Sequence, residues 1–197
     1  MSVVEPLSPL GGVLVADPHR ASGGDAVGIS ERHYDLVQIV ARAGRSTDVA
    51  AAMQANFGVT LPGPGREGHS PTLAALWVQP NAWMLVAARA AEGELARGVK
   101  RACGDAASVV DQTHGRCVIG LSGSRAAWVL GKLCRIDLHR RAFGPGQVAV
   151  TTVAGLSSIV RQRDDAPNYD LMVFSTFARS FVASLLHAAE ETGYRID

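Results

Sequence analysis

The hexapeptide at residues 111–116, "DQTHGR", places four chemically versatile side chains close together. Asp111, Thr113, His114 and Arg116 supply an acid, a hydroxyl, an imidazole and a guanidinium within six residues. A group of this composition could work as an acid–base cluster. It could equally form the polar entrance to a strand, because Asp and Thr side chains accept hydrogen bonds from nearby backbone N–H groups in turns.

Two glycine-rich stretches resemble known site motifs without matching their context. The "GPGREG" run at 63–68 has the bare Gly-x-Gly-x-x-Gly spacing, but it lies in a proline-rich loop instead of between a strand and a helix. The "GLSGS" run at 120–124 has its second glycine misplaced for a nucleophile elbow. We therefore expect Ser122 or Ser124 to cap a helix.

The cysteines and histidines do not have metal-site spacing. Cys103, Cys117 and Cys134 are far apart and odd in number, and no Cys-x-x-Cys pair occurs. The six histidines show neither His-x-x-x-His nor His-Glu-x-x-His spacing. We expect no metal site and no disulfide framework, which fits a reducing cytoplasm.

Composition and charge limit the classes of protein to which this sequence could belong. The 197 residues are 47% hydrophobic and 19% charged, with a formal net charge of +1. This balance gives no electrostatic argument for a nucleic-acid or membrane-surface partner. No apolar run approaches the ~20 residues that span a bilayer, and no basic segment opens the chain. Seventeen of the 19 basic residues are arginine, which reflects either genome composition or an interface-rich surface.

The elements that must position these residues form two similar series. Residues 1–33 are broken by proline and glycine and predict an extended arm that needs a surface to lie on. Residues 34–113 predict strand, helix, two strands, helix and strand, the split ferredoxin-like order. Residues 114–197 begin a second series. We predict an α+β fold of two ferredoxin-like halves packed as one body.

Several boundaries can be predicted from local chemistry. Ser46 is expected to cap the first helix, which Gly58 should end in a left-handed conformation. The stretch 59–71 is rich in proline and glycine and predicts a loop. A helix is expected at 125–134, and a long amphipathic helix at 177–193.

From residue 111 onward the chain resembles a known superfamily. The run "DQTHGRCVIGLSGSRAAWVLGKLCRIDLHRRAFGPGQVAVTTVAGL" is similar to the shared core of the aminomethyltransferase-like, folate-binding proteins. Within them, "SPLGG" near the start, "DQTHGR", "CRIDLH" with "AFGPG", and the closing "FARSFVASLLHAAEETG" resemble the gamma subunits of heterotetrameric sarcosine oxidases. The resemblance covers nearly the whole chain and is most specific in the second half.

The resemblance implies a fold, partner subunits and a reaction of the complex. It implies the two-part α+β fold of the folate-binding aminomethyltransferases and alpha, beta and delta subunits as partners. Such a complex oxidatively demethylates sarcosine to glycine, releases formaldehyde or methylenetetrahydrofolate, and reduces oxygen to hydrogen peroxide. FAD, FMN and NAD, with tetrahydrofolate, are expected in the partner subunits, and the gamma chain is expected to be a structural partner.

The chain departs from the folate-using relatives at one informative place. They carry an acidic residue after the turn of the strand pair, whereas residues 155–159 here read "GLSSI". A serine hydroxyl cannot replace that carboxylate as a base at neutral pH. We therefore expect no catalytic, cofactor-binding or metal-binding residue in this chain. The alternatives are a gamma subunit of a sister N-methyl amino-acid dehydrogenase complex, for example one for N-methylglutamate, and a freestanding folate-dependent aminomethyltransferase-like protein.

The distinctive polar residues then take structural or interface roles. Asp111 and Thr113 are expected to tie down a turn, with His114 and Arg116 facing the seam between the halves or a partner. Asp137 should accept backbone N–H bonds in a loop that His139 fastens. The complete set of expected structural or interface residues is Asp111, His114, Arg116, Asp137, His139, Arg140 and Phe143.

Overall fold

The computed structural model describes residues 8–14 and 25–197, which form two β-sheets packed face to face with a pair of helices on each outer side. The five-stranded sheet has the order β3-β4-β5-β2-β6, and the six-stranded sheet has the order β11-β1-β7-β10-β9-β8. The predicted α+β class with two packed halves is confirmed.

The first sheet follows the split ferredoxin-like order. Its central strands, β4-β5-β2-β6, are antiparallel. Their α-helices lie on one face, because the apolar side chains on that face of the strands pack against the apolar stripe of each helix. The elements are β2 (Tyr34–Ala41), α1 (Ser46–Phe57), β3 (Glu67–His69), β4 (Leu73–Gln79), β5 (Ala82–Ala88), α2 (Glu94–Cys103) and β6 (Ala107–Asp111).

The second sheet receives one strand from before the first half. Its elements are β1 (Val27–Arg32), β7 (Arg116–Ser122), α3 (Ala126–Gly131), β8 (Val148–Val153), β9 (Leu156–Asp164), β10 (Asn168–Phe174), α4 (Ala178–Ala189) and β11 (Tyr194–Ile196). Short 3₁₀ turns lie at Gly104–Ala106 and Ser175–Phe177.

The prediction of an irregular chain up to residue 33 is wrong for β1. This strand pairs antiparallel with β7 and parallel with β11. Val27 and Ile29 are fully buried. Pairing with these two strands stabilises β1, although the glycines just before it and within it favour an irregular chain. Residues 8–14 form turns, with Leu10 in the core. The remainder of the predicted arm lies outside the described residues.

Three apolar layers hold the elements together. One lies between the six-stranded sheet and helices α3 and α4, and another between the five-stranded sheet and helices α1 and α2. The third lies between the sheets and includes Leu36, Leu76, Met84, Val118 and Met172. Both sheets are thus covered on both faces, which explains strands that are apolar nearly throughout.

Several local predictions differ from the structure. Ser46 does not cap α1, because its hydroxyl donates to Asn81 Oδ1 at 2.7 Å. Neither predicted serine caps α3, and this helix ends at Gly131, three residues early. The loop predicted at 59–71 contains β3, which pairs with β4 despite its proline-rich approach. The left-handed Gly58 is confirmed, with φ of 63° and its N–H bonded to Gln54.

Candidate functional site at the seam between the sheets

The hexapeptide "DQTHGR" is the connection that carries the chain from β6 in one sheet to β7 in the other. Asp111 Oδ1 accepts the backbone N–H of Thr113 at 2.9 Å. Thr113 Oγ1 accepts the N–H of Leu36 at 3.1 Å and lies 3.4 Å from the Leu36 carbonyl oxygen. The acid and the hydroxyl are therefore engaged with backbone groups of the turn and of β2.

The hydroxyl of Thr113 should contribute measurably to stability. Replacing Thr113 by valine keeps the shape of the side chain but leaves the buried Leu36 N–H without its acceptor. We expect the free energy of unfolding to fall by about 1–3 kcal/mol in urea titrations. Thr152→Val, at an exposed position of β8, is the control and should change it by less than about 0.5 kcal/mol. Equal effects would contradict the assigned role.

A cavity of about 350 Å³ opens beside this turn. His114 is more than half exposed, and its Nε2 lies 3.4 Å from Arg89 Nη2 and 4.0 Å from Glu92 Oε1. Among the described residues, the His114 side chain thus makes no hydrogen bond or ion pair with the side chains of Asp111 and Thr113. The hexapeptide therefore does not form a proton relay. The cavity is lined by Ser8, Pro9, Glu31, Arg32, His33, Tyr34, Leu36, Arg89, Thr113, His114, Arg116, Cys117 and Val118.

Arg116 stands out among the basic residues of the cavity. Its guanidinium carbon lies 4.3 Å from the centre of the Phe174 ring, a cation–π contact. Its Nε is buried and has no hydrogen-bond partner, and no described carboxylate lies within 4 Å. Burial lowers the pKa of the Arg116 guanidinium. The group remains charged at neutral pH because an arginine titrates far above it.

A buried ion network lies deeper between the sheets. Asp170 is fully buried, and its Oδ2 accepts Arg161 Nε at 2.8 Å and lies 2.6 Å from Arg161 Nη2. Arg32 Nη1 approaches Asp170 Oδ1 at 3.1 Å as an ion pair without hydrogen-bond geometry. Arg161 also reaches Glu67 Oε2 at 3.3 Å, and His69 Nε2 lies 3.1 Å from Glu67 Oε1. The network joins β3 of one sheet to three strands of the other.

The charge of Arg161 is retained by its partners. Burial by itself would lower the pKa of Arg161, but the attraction of Asp170 and then of Glu67 outweighs it and raises that pKa. The ring centre of Tyr34 lies 5.9 Å from the same guanidinium. Burial of the phenol, followed by the charge of Asp170, raises the pKa of Tyr34. Arg161 is thus a permanent cation held between the sheets.

Gly120 makes the approach of Arg32 possible. It lies on β7 between Ser30 of β1 and Asp170 of β10 in register. A Cβ at this position would meet Arg32 Nε at 2.3 Å. Glycine therefore leaves the space in which the Arg32 side chain crosses β7 to reach Asp170.

Sequence reasoning missed this network, although a signal was present. Asp170 is the single charge of the mostly apolar β10, and Arg161 directly follows the apolar pair Ile159 and Val160 in β9. In a strand covered on both faces, such a charge needs a buried partner of opposite sign. The cross-strand pairing of Arg161 with Asp170 supplies it. Glu67 was less predictable, because the proline- and glycine-rich stretch around it predicts a loop.

Cys117 lies beside Glu31 at the base of the cavity. Its Sγ is 3.7 Å from Glu31 Oε1, and Ser8 donates a hydrogen bond to the other carboxylate oxygen. Burial, followed by the charge and hydrogen bond of Glu31, raises the pKa of the Cys117 thiol to about 12. This thiol stays protonated and is a poor nucleophile at neutral pH.

The raised pKa of Cys117 predicts a loss of stability in alkali. An unfolded thiol ionises near pH 8.5 and the folded one near pH 12, so the folded state holds one more proton between these values. The free energy of unfolding therefore falls by about 1.4 kcal/mol per pH unit above 8.5 from this group. Urea titrations at pH 7 and 10 should show a decline about 2 kcal/mol smaller in Cys117→Ala. An unchanged decline would contradict the assignment.

The second polar group predicted from sequence forms the loop before β8. Asp137 Oδ1 accepts the N–H of His139 at 2.8 Å, and His139 Nδ1 accepts the N–H of Arg141 at 3.3 Å. Phe143 is buried in the core under α3 and α4, with its N–H bonded to the carbonyl of His139. Arg140 lies 3.2 Å from Asp165, and both side chains are about three-quarters exposed. An interface role for these residues stays a prediction.

The hairpin at residues 153–158 does not place a carboxylate at its turn. Ala154 and Gly155 have φ of 51° and 77°, and the Ser158 hydroxyl donates to the carbonyl of Leu156 at 3.0 Å. Ser158 is buried, while Ser157 is exposed. These hydroxyls do not fit the acidic role expected of a folate-using site.

The stretch "GPGREG" is not a phosphate cradle. The N–H of Arg66 donates to Gly63, and that of Glu67 donates to Gly146. Two of its backbone donors are thus committed within the chain, whereas a dinucleotide loop keeps such donors free for a ligand.

The described residues contain neither a metal-binding cluster nor a membrane-spanning helix. In residues 8–14 and 25–197, three or more His, Cys, Asp or Glu side chains do not gather into a group that could hold a metal ion. Over those same ranges the helices are too short and too polar to cross a bilayer.

Known proteins resemble this chain in sequence over most of its length. Residues 43–191 match the model of the sarcosine oxidase, gamma subunit family. Sarcosine oxidase subunit gamma of an Arthrobacter species is 36% identical over 54% of this chain and 53% of its own length. The protein of that name from Corynebacterium sp. strain U-96 is 31% identical over 72% of this chain and 69% of its own. The first two curated relatives are thus matched over little more than half their length.

Structural comparison extends the match to nearly the whole chain. A chain of the heterotetrameric sarcosine oxidase from Corynebacterium sp. U-96 aligns with a TM-score of 0.85 and 26% identity, covering 95% of this chain and 96% of that one. The glycine cleavage system aminomethyltransferase T from Bartonella henselae shares the fold, with a TM-score of 0.63 and 15% identity over 87% of this chain and 47% of its own. The chain belongs to the sarcosine oxidase gamma subunit family.

Proposed function

We propose that this chain is the gamma subunit of a heterotetrameric sarcosine oxidase and that its role in the complex is structural. The observation that carries the proposal is the structural match to the Corynebacterium enzyme, which covers 95% of one chain and 96% of the other.

The geometry at the seam supports a non-catalytic role. Asp111 and Thr113 are bonded to backbone groups, and His114 faces Arg89. The hairpin that bears the acid in folate-using relatives presents the hydroxyls of Ser157 and Ser158. A general base must lie within hydrogen-bond reach of the proton that it removes and have a suitable pKa. The residues present do not fit tetrahydrofolate chemistry.

The chemistry then belongs to the partner subunits. In this proposal the alpha, beta and delta chains contain FAD, FMN, NAD and the tetrahydrofolate site. The complex oxidises sarcosine to glycine, releases formaldehyde or methylenetetrahydrofolate, and passes the electrons to oxygen to give hydrogen peroxide. The free, buried Cys103, Cys117 and Cys134 support a reducing compartment such as the cytoplasm.

The proposal is tested by comparing the complex with the isolated chain. Co-expressed with the alpha, beta and delta subunits, the chain should co-purify in fixed stoichiometry with sarcosine-dependent oxygen uptake. Expressed alone, it should be colourless and produce no peroxide. Flavin-coloured, active protein from the isolated chain would contradict the proposal. Faster reduction of an added artificial electron acceptor with N-methylglutamate than with sarcosine would assign the complex to the sister dehydrogenase activity.

A further inference from the structure

Arg116 is a partly buried cation without a carboxylate partner among residues 8–14 and 25–197. Its Nε is shielded from water without an acceptor, and the carboxylates of the described residues lie more than 4 Å away. Arg32, Arg89 and Arg161, by contrast, each have a carboxylate within 4 Å. Withdrawing a guanidinium from water without a partner is costly, so a carboxylate supplied from outside would bind here favourably.

The guanidinium of Arg116 is also held in place. It stacks on Phe174 at 4.3 Å. Ser175 donates hydrogen bonds to the carbonyls of His114 and Gly115, at 2.8 Å and 3.1 Å, which fixes the end of β10 against the turn. A planar cation in a fixed orientation loses little entropy when it forms a paired contact with a carboxylate.

Exposed aromatic rings accompany this cation. Phe174, the last residue of β10, is 40% exposed, and Phe177, in the 3₁₀ turn that follows, is 48% exposed. Arginine and aromatic residues together form the energetic centres of protein interfaces. A small free anion could neutralise Arg116, but it could not cover the two rings. The surface therefore fits an extended partner better than a small ligand.

We infer that Arg116, Phe174 and Phe177 form a docking surface for a partner subunit, which presents a carboxylate side chain to Arg116 beside the seam cavity. This inference rests on the proposed function. The partner's carboxylate would pair with the free N–H groups of the guanidinium, and its apolar neighbours would cover the two rings.

The test measures assembly of the full chain with the complex of the other three subunits. Arg116→Gln should weaken binding by about 30-fold, because it removes one member of a desolvated charge pair. Phe177→Ser should weaken it by about tenfold. Arg42→Gln and Val150→Ser are matched controls, since Arg42 is exposed and Val150 is 48% exposed. Both controls should bind within about twofold of the original chain.

Each outcome decides the inference. Melting temperatures of the isolated variants establish that they fold. If Arg116→Gln does not fold, the binding of Phe177→Ser, a change at the surface, decides the result. Unchanged affinity of Phe177→Ser and of folded Arg116→Gln would overturn the inference while leaving the proposed function intact. Failure of the unaltered chain to assemble with the other three subunits would contradict both the docking surface and the proposed function. Acetate that stabilises the unaltered chain but not Arg116→Gln, with assembly unaffected, would assign the site to a small anion and contradict docking.

Discussion

A chain that begins at residue 34 is expected not to fold. Such a truncation removes β1, which lies between β7 and β11 in the six-stranded sheet. It exposes the edges of both neighbours and deletes Val27 and Ile29 from the core. Each of these buried side chains contributes about 1.5–3 kcal/mol, and five residue pairs with β7 are lost as well. Total stabilities are only about 5–15 kcal/mol.

A second truncation distinguishes the contribution of β1 to stability from that of the residues before it. A chain that begins at residue 25 keeps β1 and loses Leu10, which is 2% exposed in the same core. We expect this shorter truncation to fold, with its free energy of unfolding lowered by about 2–5 kcal/mol. Circular dichroism and urea titration would measure both variants. Cooperative unfolding of the chain that begins at residue 34 would show that β1 is dispensable and would contradict the assigned topology.

Replacing Asp170 by asparagine is expected to lower the free energy of unfolding by about 3–5 kcal/mol. Asp170 is fully buried and lies between Arg161 and Arg32, so its neutralisation leaves two adjacent cations with less compensation. The large effect reflects the cost of the unpaired charges more than the net contribution of the pair. Chemical denaturation at neutral pH measures it.

Two further variants identify the source of the effect. Asp165→Asn interrupts the exposed ion pair with Arg140 and should cost less than about 1 kcal/mol. Replacing Arg32 by methionine in the Asp170→Asn background should recover part of the loss, because Arg32 is then without a carboxylate partner among the described residues, whereas Arg161 keeps Glu67. A double variant less stable by the sum of the two single changes would show that the residues do not interact.

The ferredoxin-like order of the first half could be predicted because its signals are local. Each strand alternates or runs apolar, and helix α1 ends at a left-handed glycine, Gly58. The second sheet could not be predicted completely. β1 is stabilised by strands that follow it by more than 80 residues, and local composition does not contain that pairing.

The candidate site was predictable in its parts but not in its connections. The turn chemistry of Asp111 follows from residue type, since short polar side chains bond nearby backbone N–H groups. The link from Glu67 through Arg161 to Asp170 crosses two sheets, so it depends on packing that only the fold supplies. The isolation of Arg116 from every described carboxylate is likewise a property of the folded chain.

The central claim is that this chain is a structural subunit of a four-chain oxidase. Native mass spectrometry of the complex purified through a tag on the alpha subunit tests it most directly. The account predicts one species that contains this chain with the alpha, beta and delta chains, and flavin mass only in subcomplexes that include a partner. A tagged complex that lacks this chain, or a flavin retained by this chain alone after dissociation, would contradict it.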